Sequence, residues 1–113
     1  MGVDGGRGMI GADSYIRELT PDRQTLHATQ RYSQGWSDID MWNGDLFIAD
    51  VIVAVCRWKR SDKAKSFPTG MTLDEWHTVL KTIEDGFSRN WDEVTPSPEV
   101  WALLQTYFRN LWD

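Results

Sequence analysis

The feature that most constrains the fold is an apolar run in the middle of the chain. Residues 46–56 contain a single polar side chain, that of Asp50. The β-branched residues in this run would suit a strand. However, residues 38–60 contain no proline and one glycine, and this stretch is much longer than an ordinary strand. We therefore predict a central helix over about 38–60 that is apolar nearly all round and covered by other helices on several sides.

The N-terminal end of this helix can be placed in two ways. Ser37 is a suitable N-cap, with Asp38 and Asp40 in the first turn, where the helix dipole favours negative charge. Alternatively, Asn43 is the N-cap and Gly44 the first helical residue, and residues 36–42 form a separate turn. The sequence leaves both placements open.

The C-terminal end of the helix is basic and aromatic. Arg57, Lys59 and Arg60 lie where the helix dipole favours positive charge, and Trp58 lies among them. Residues 57–65 hold five bases and one acid. One interpretation is a helix end running into a solvated loop, and the other is a patch that binds phosphate, nucleic acid or an acidic partner.

Three further helices are predicted from their caps and their apolar spacing. Each begins after a Ser or Thr able to cap it, and its apolar residues recur every three or four positions. The caps are Thr20, Thr72 and Ser97, and the helices span about 20–34, 72–88 and 98–112. The predicted fold class is therefore all-α, a small bundle of three to four helices around the central one. Residues 1–12 are predicted to be a flexible Gly-rich tail before a single domain over 13–113.

Composition narrows the classes of function. Seven Trp among 113 residues indicate either an unusually aromatic core or a surface meant for a partner. The net charge of −5 argues against coating of nucleic acid. Cys56 is the single cysteine, which fits a reducing compartment, and no apolar run approaches the roughly 20 residues of a membrane span. We expect a cytoplasmic protein with no membrane association and no direct contact with nucleic acid.

Site chemistry is sparse in the sequence. Cys56 lies among aliphatic residues, where its pKa is expected to rise, so it is a poor nucleophile. His27 has no metal-ligating residue three or four positions on, and both His27 and His77 are predicted on exposed helix faces. We predict no catalytic residue, no metal and no cofactor.

Asp50 is the residue that packing alone does not explain. A carboxylate inside an apolar helix is costly unless it is paired. One interpretation is an ion pair or hydrogen bond within the bundle, with Arg31, Lys81 and Arg89 as candidate partners. The other is a buried binding or catalytic acid.

Two blocks of the chain resemble a family of small uncharacterised tailed-bacteriophage proteins. The first is the S-D-x-D-x-W opening from Trp36 through Ser37, Asp38, Asp40, Trp42 and Asn43, with Asp45, Ile48, Ala49 and Ile52 following. The second is Pro68, Thr72, Glu75, Trp76, Leu80, Ile83, Gly86 and Phe87. Together they cover residues 35–87, about half of the chain. The resemblance implies phage origin and an all-α fold, and it brings no activity, ligand or catalytic residue.

These observations predict a non-enzymatic, phage-encoded accessory protein in the host cytoplasm. We expect it to act by protein–protein interaction with a host or phage protein, such as a defence factor, or by forming a homo-oligomer. The alternatives are an acidic DNA mimic and a structural or packaging component of the virion. The candidate interaction or buried polar residues are Trp36, Asp38, Asp40, Asp50, Arg57, Trp58, Lys59 and Arg60.

Overall fold

The computed structural model describes residues 19–88 and 93–111, and within these ranges the protein is all-α, which confirms the predicted fold class. The helices are α1 (Pro21–Gln34), α2 (Asp38–Trp42), α3 (Gly44–Lys59), α4 (Leu73–Phe87) and α5 (Pro98–Tyr107), and a 3₁₀ turn (Phe108–Leu111) follows α5. The chain divides into two compact units, Met1–Val51 and Ile52–Asp113, with the boundary inside α3. The predicted tail over 1–12 lies outside the described residues.

The helix boundaries follow the capping residues of the sequence. Thr20, Thr72 and Ser97 each accept the backbone N–H three residues on, as predicted. Thr72 forms a full capping box, because its own N–H donates to Glu75 Oε1 at 2.8 Å while the Glu75 N–H donates to Thr72 Oγ1 at 3.1 Å. Gly35 ends α1 in the left-handed region, with φ of 91°. Local capping chemistry therefore decides where these helices begin and end.

The single helix predicted over 38–60 is interrupted at Asn43. This residue has φ of −117° and ψ of 46°, outside the helical region, and its side-chain Nδ2 donates to the carbonyl of Ile39 at 2.9 Å. Its own carbonyl accepts the N–H of Phe47 at 2.9 Å, as an N-cap carbonyl does. The alternative placement, with a separate turn before a helix that begins at Gly44, is the one in the structure.

Helix α3 buries one stripe rather than its whole circumference. Leu46, Ala49, Val53 and Cys56 recur every three or four residues and are buried, whereas Ile48 is 59% exposed. Phe47, Val51, Ile52 and Val55 are half-buried, so the expectation of a helix covered on several sides is met over much of the circumference and fails at Ile48. A chain of this size has too little other structure to enclose one helix completely. None of the described helices has the length and apolarity needed to cross a membrane.

In the second unit, α4 supplies the largest buried face. Trp76, Leu80, Ile83 and Phe87 follow the predicted spacing of three and four residues, and all four are buried. The indole of Trp76 also meets the ring of Tyr107 with 5.6 Å between ring centroids. The helix predicted from the capping box thus forms the aromatic part of this core.

Helices α4 and α5 approach each other closely at Gly86. A Cβ placed on this residue would lie 2.5 Å from both γ-carbons of Val100. One residue further on, the ring of Phe87 meets Trp101 edge to face, with 5.1 Å between centroids. The missing side chain at position 86 therefore allows the two helices to pack at this distance.

Candidate interaction surfaces

Helix α2 is fixed to α1 by paired side chains. With five residues it is too short to be stable alone. Gln30 donates from Nε2 to Asp38 Oδ2 at 3.0 Å, and its Oε1 accepts the backbone N–H of Asp38 at 2.8 Å. One residue further along α1, Arg31 binds Asp40. These two pairs hold the position of α2 within the first unit.

The carboxylate of Asp40 is the buried centre of this unit. Arg31 donates to both of its oxygens, from Nε at 2.9 Å and from Nη2 at 2.5 Å. Ser37 donates to Oδ2 from its backbone N–H at 2.8 Å and from its hydroxyl at 3.1 Å. Because the Ser37 hydroxyl also accepts the Asp40 N–H, the two residues form a capping box. Asp40 therefore both caps α2 and neutralises Arg31, a bidentate pairing of the strong kind.

His27 is buried beneath α2, and the prediction that it lies on an exposed face is wrong. It is 1% exposed, and its ring meets the indole of Trp42 edge to face with 6.3 Å between centroids. Neither ring nitrogen has a hydrogen-bond partner among the described residues. His27 lies on the same helical face as Gln30 and Arg31, three and four positions on, and these residues bind α2. That polar face points inward, whereas Leu26 is 52% exposed.

Large apolar side chains on and beside α2 are exposed. Trp36 is 39% exposed, Met41 is 47% exposed and Trp42 is 68% exposed. We call these three residues the α2 surface. Within the part of the chain that the structure describes, four of the five Trp are exposed and Trp76 alone is buried. Aromatic residues and Met are the residue types enriched in protein interfaces.

The second unit contains two arginines bound to one carboxylate. Glu84 of α4 has a side chain that is 4% exposed, and it accepts from Arg57 Nε at 2.9 Å through Oε2. Its other oxygen, Oε1, accepts from Arg60 Nε at 3.1 Å and from Nη2 at 2.5 Å. Burial raises the pKa of Glu84, but the hydrogen bonds and charges of Arg60 and Arg57 outweigh burial and hold the pKa below its ordinary value of 4.5. Glu84 is therefore ionised at neutral pH.

The surrounding segment, residues 57–67, is here called the basic turn. Trp58 and Phe67 are each 49% exposed, and Lys63 and Lys65 are exposed as well. Lys59, by contrast, is buried. The exposed face of the basic turn thus combines cations with half-exposed aromatic rings.

Cys56 precedes the basic turn and is buried as a free thiol. Burial and the nearby charge of Glu84 raise its pKa to about 11, although Arg60 acts in the opposite direction. The predicted rise in the pKa of Cys56 is confirmed, and the thiol stays protonated at neutral pH.

The residues singled out in the sequence fall in three places. Asp38 and Asp40 lie in α2 and Trp36 just before it. The basic turn contains Arg57, Trp58, Lys59 and Arg60, and Asp50 is half-buried in the middle of α3. Sequence reasoning missed Glu84 as the acceptor for two arginines and Arg31 as the partner of Asp40. The Ser-x-x-Asp capping box of Ser37 and Asp40 was the one local signal that could have revealed the role of Asp40.

Comparison of the chain with protein-family models, with curated proteins and with solved structures finds no match. Among the described residues, no group of three or more His, Cys, Asp or Glu side chains is placed to hold a metal ion. The two surfaces described above are therefore the basis for a functional proposal.

Proposed function

We propose that this chain is a non-enzymatic, phage-encoded accessory protein that binds another protein through the α2 surface. The observation that carries the proposal is the exposure of Trp36, Met41 and Trp42 within seven residues of sequence. Trp is the residue type most enriched among the few side chains that dominate binding energy. Covering this apolar surface with a partner would be favourable by about 25 cal/mol for each Å² removed from water.

Rigid presentation of the α2 surface supports the same proposal. The Gln30–Asp38 and Arg31–Asp40 pairs fix α2 before any partner arrives. A binding surface that is already ordered loses less conformational entropy on association, so more of the contact energy appears as affinity. The buried polar cluster around Asp40 is therefore the support for the exposed apolar residues rather than the contact itself.

The phage origin and the host-cytoplasm location rest on the resemblance of residues 35–87. The DNA-mimic alternative has less support, because two neighbouring acids of α4, Glu84 and Asp85, already have cationic partners. Glu84 is buried between Arg57 and Arg60, and Asp85 pairs with Lys81 at 2.9 Å. A mimic needs its carboxylates free on the surface to stand in for phosphates.

Affinity purification of the tagged chain from infected host cells tests the proposal. Trp42→Ala and Trp36→Ala should each lose the co-purifying protein, whereas Phe108→Ala, which removes an aromatic side chain of similar exposure (64%) in the other unit, should retain it. The partner is then purified and its affinity measured by calorimetry, with a loss of roughly tenfold or more expected for Trp42→Ala.

Two controls make the result decisive. Circular dichroism must show that each variant is folded, because Trp42 also covers His27. Size-exclusion chromatography with light scattering shows whether the partner is a second copy. If folded Trp36→Ala and Trp42→Ala chains bind the purified partner as well as the unmodified chain does, the α2 surface is not the binding site.

A further inference from the structure

We infer that the basic turn is a second docking site, and that its ligand is an acidic segment of a protein, with Asp or Glu carboxylates between apolar residues. This inference rests on the proposed protein-binding function, but it concerns the second unit and a different chemistry. Four features of the turn support it: the donors of Arg57, the fixed backbone, the positive charge and the exposed aromatic side chains.

Arg57 has donors that its internal partner does not use. A guanidinium carries five N–H donors. Among the described residues Arg57 donates through Nε, to Glu84, and its side chain is 66% exposed. Within the described part of the chain its two terminal amino groups have no hydrogen-bond acceptor, and they form a planar fork of the kind that matches a carboxylate.

The turn is ordered by its own hydrogen bonds. Ser61 Oγ donates to the carbonyl of Trp58 at 2.6 Å and accepts the N–H of Lys63 at 3.3 Å. The N–H of Ala64 donates to the carbonyl of Ser61 at 3.3 Å, and Ala64 itself is buried. Hydrogen bonds to Glu84 fix the side chains of Arg57 and Arg60 as well. A site that is already ordered loses little conformational entropy when a ligand binds.

Charge favours an anionic ligand, and its distribution favours a short one. The basic turn holds five bases and one acid, and Glu84 neutralises one further charge. The rest of the chain holds seven bases and fifteen acids. Because charges act over about 8 Å at physiological salt, a long polyanion such as nucleic acid would meet repulsion beyond the turn. A short acidic peptide segment would not.

Trp58 and Phe67 account for the apolar part of the ligand. Both rings are half-exposed at the two ends of the turn. An acidic segment with apolar residues between its carboxylates could contact these rings while its carboxylates bind Arg57 and the exposed lysines. Trp and Arg together are the typical composition of an energetic centre in a protein interface.

Fluorescence anisotropy with synthetic peptides tests the inference. The probe is a short fluorescein-labelled peptide of alternating Glu and Leu, and its counterpart carries Gln in place of each Glu. The chain should bind the Glu peptide, with an affinity that falls as salt rises. Arg57→Ala should weaken binding roughly tenfold, and the paired substitution Lys63→Ala with Lys65→Ala should also weaken it. Arg109→Ala, which removes an exposed arginine elsewhere in the same unit, should change it by about twofold at most.

Several results would overturn the inference. These are no binding of the Glu peptide, equal binding of the Gln peptide, tighter binding of a single-stranded oligonucleotide, or a dimer in light scattering that Arg57→Ala dissociates. The two proposals fail separately. If the purified partner is lost with Trp42→Ala but retained with Arg57→Ala, the basic turn is not a docking site and the proposed function stands. If neither substitution affects the partner, the proposed function fails.

Discussion

The close approach of α4 and α5 makes Gly86→Ala a demanding test of the packing. The new Cβ would lie 2.5 Å from both γ-carbons of Val100, where carbon atoms in contact are ordinarily about 3.5–4.0 Å apart. Val100 or the helix that carries it must therefore move by about 1 Å. Alanine gains up to about 1 kcal/mol of helix propensity over glycine, and overpacking a core costs about 1–3 kcal/mol. We expect a net loss of about 1–2 kcal/mol in the free energy of unfolding.

Thermal and urea denaturation followed by circular dichroism measure this loss. For a chain of this length the expected fall in Tm is about 4 °C for each kcal/mol. Gly44→Ala is the matched control, because a Cβ at this helical glycine meets nothing within 4 Å. The control should leave the free energy of unfolding unchanged or raise it by up to about 1 kcal/mol.

A double-mutant cycle identifies the cause. Val100→Ala alone removes two buried methyl groups and should cost about 2 kcal/mol. Combined with Gly86→Ala, it also removes the clashing γ-carbons, so the double variant should lose about 1 kcal/mol less than the two single losses added together. The reasoning is refuted if Gly86→Ala is as stable as the Gly44→Ala control, or if the two losses are simply additive.

Two further predictions concern buried polar groups. His27→Phe replaces a buried ring whose nitrogens have no described partner, so it should leave the free energy of unfolding at pH 7 unchanged or raise it by about 1 kcal/mol in urea denaturation. A loss of more than about 1 kcal/mol would contradict this expectation, either because the nitrogens are bonded or because the larger ring overpacks the site. Glu84→Gln should cost about 1–2 kcal/mol at pH 7, because two arginines lose a charged acceptor. Since folding holds the pKa of Glu84 below 4.5, its contribution to stability is present above that pH and is lost as pH falls through the folded pKa. Urea denaturation from pH 7 down to pH 3 should therefore show the gap between Glu84→Gln and the unmodified chain closing in acid, while exposed Glu93→Gln shows no such gap. A gap that stays constant would contradict this account.

Local signals in the sequence predicted the helices well. Capping residues and apolar spacing place α1, α4 and α5 to within a few residues, because both effects act between residues that are near in sequence. The break at Asn43 is one of the two placements that the sequence allows, for the same reason. The apolar run does not show which residues of α3 are fully buried. That depends on how much of the rest of the chain is available to cover the helix.

Long-range pairs could not be predicted in this way. Arg57 and Glu84 are separated by 27 positions, and nothing local links them. Arg31 and Asp40 are nine positions apart, on different helices. The burial of His27 was not predictable for a related reason: the inward face of α1 carries the polar residues that bind α2, whereas the apolar Leu26 faces outward. The burial of His27 follows from a tertiary contact.

The two roles of Asp40 leave position 40 little freedom to vary. Asparagine there could still accept from Ser37 but would remove the negative charge that Asp40 places against Arg31. Glutamate would keep the charge, but its additional methylene would move the carboxylate away from either Arg31 or Ser37, to both of which Asp40 is hydrogen-bonded. Sequence drift at this position therefore requires a matching change at Arg31 or Ser37. The segment that presents the exposed α2 surface therefore contains, at position 40, a buried residue at which a single substitution is expected to be poorly tolerated.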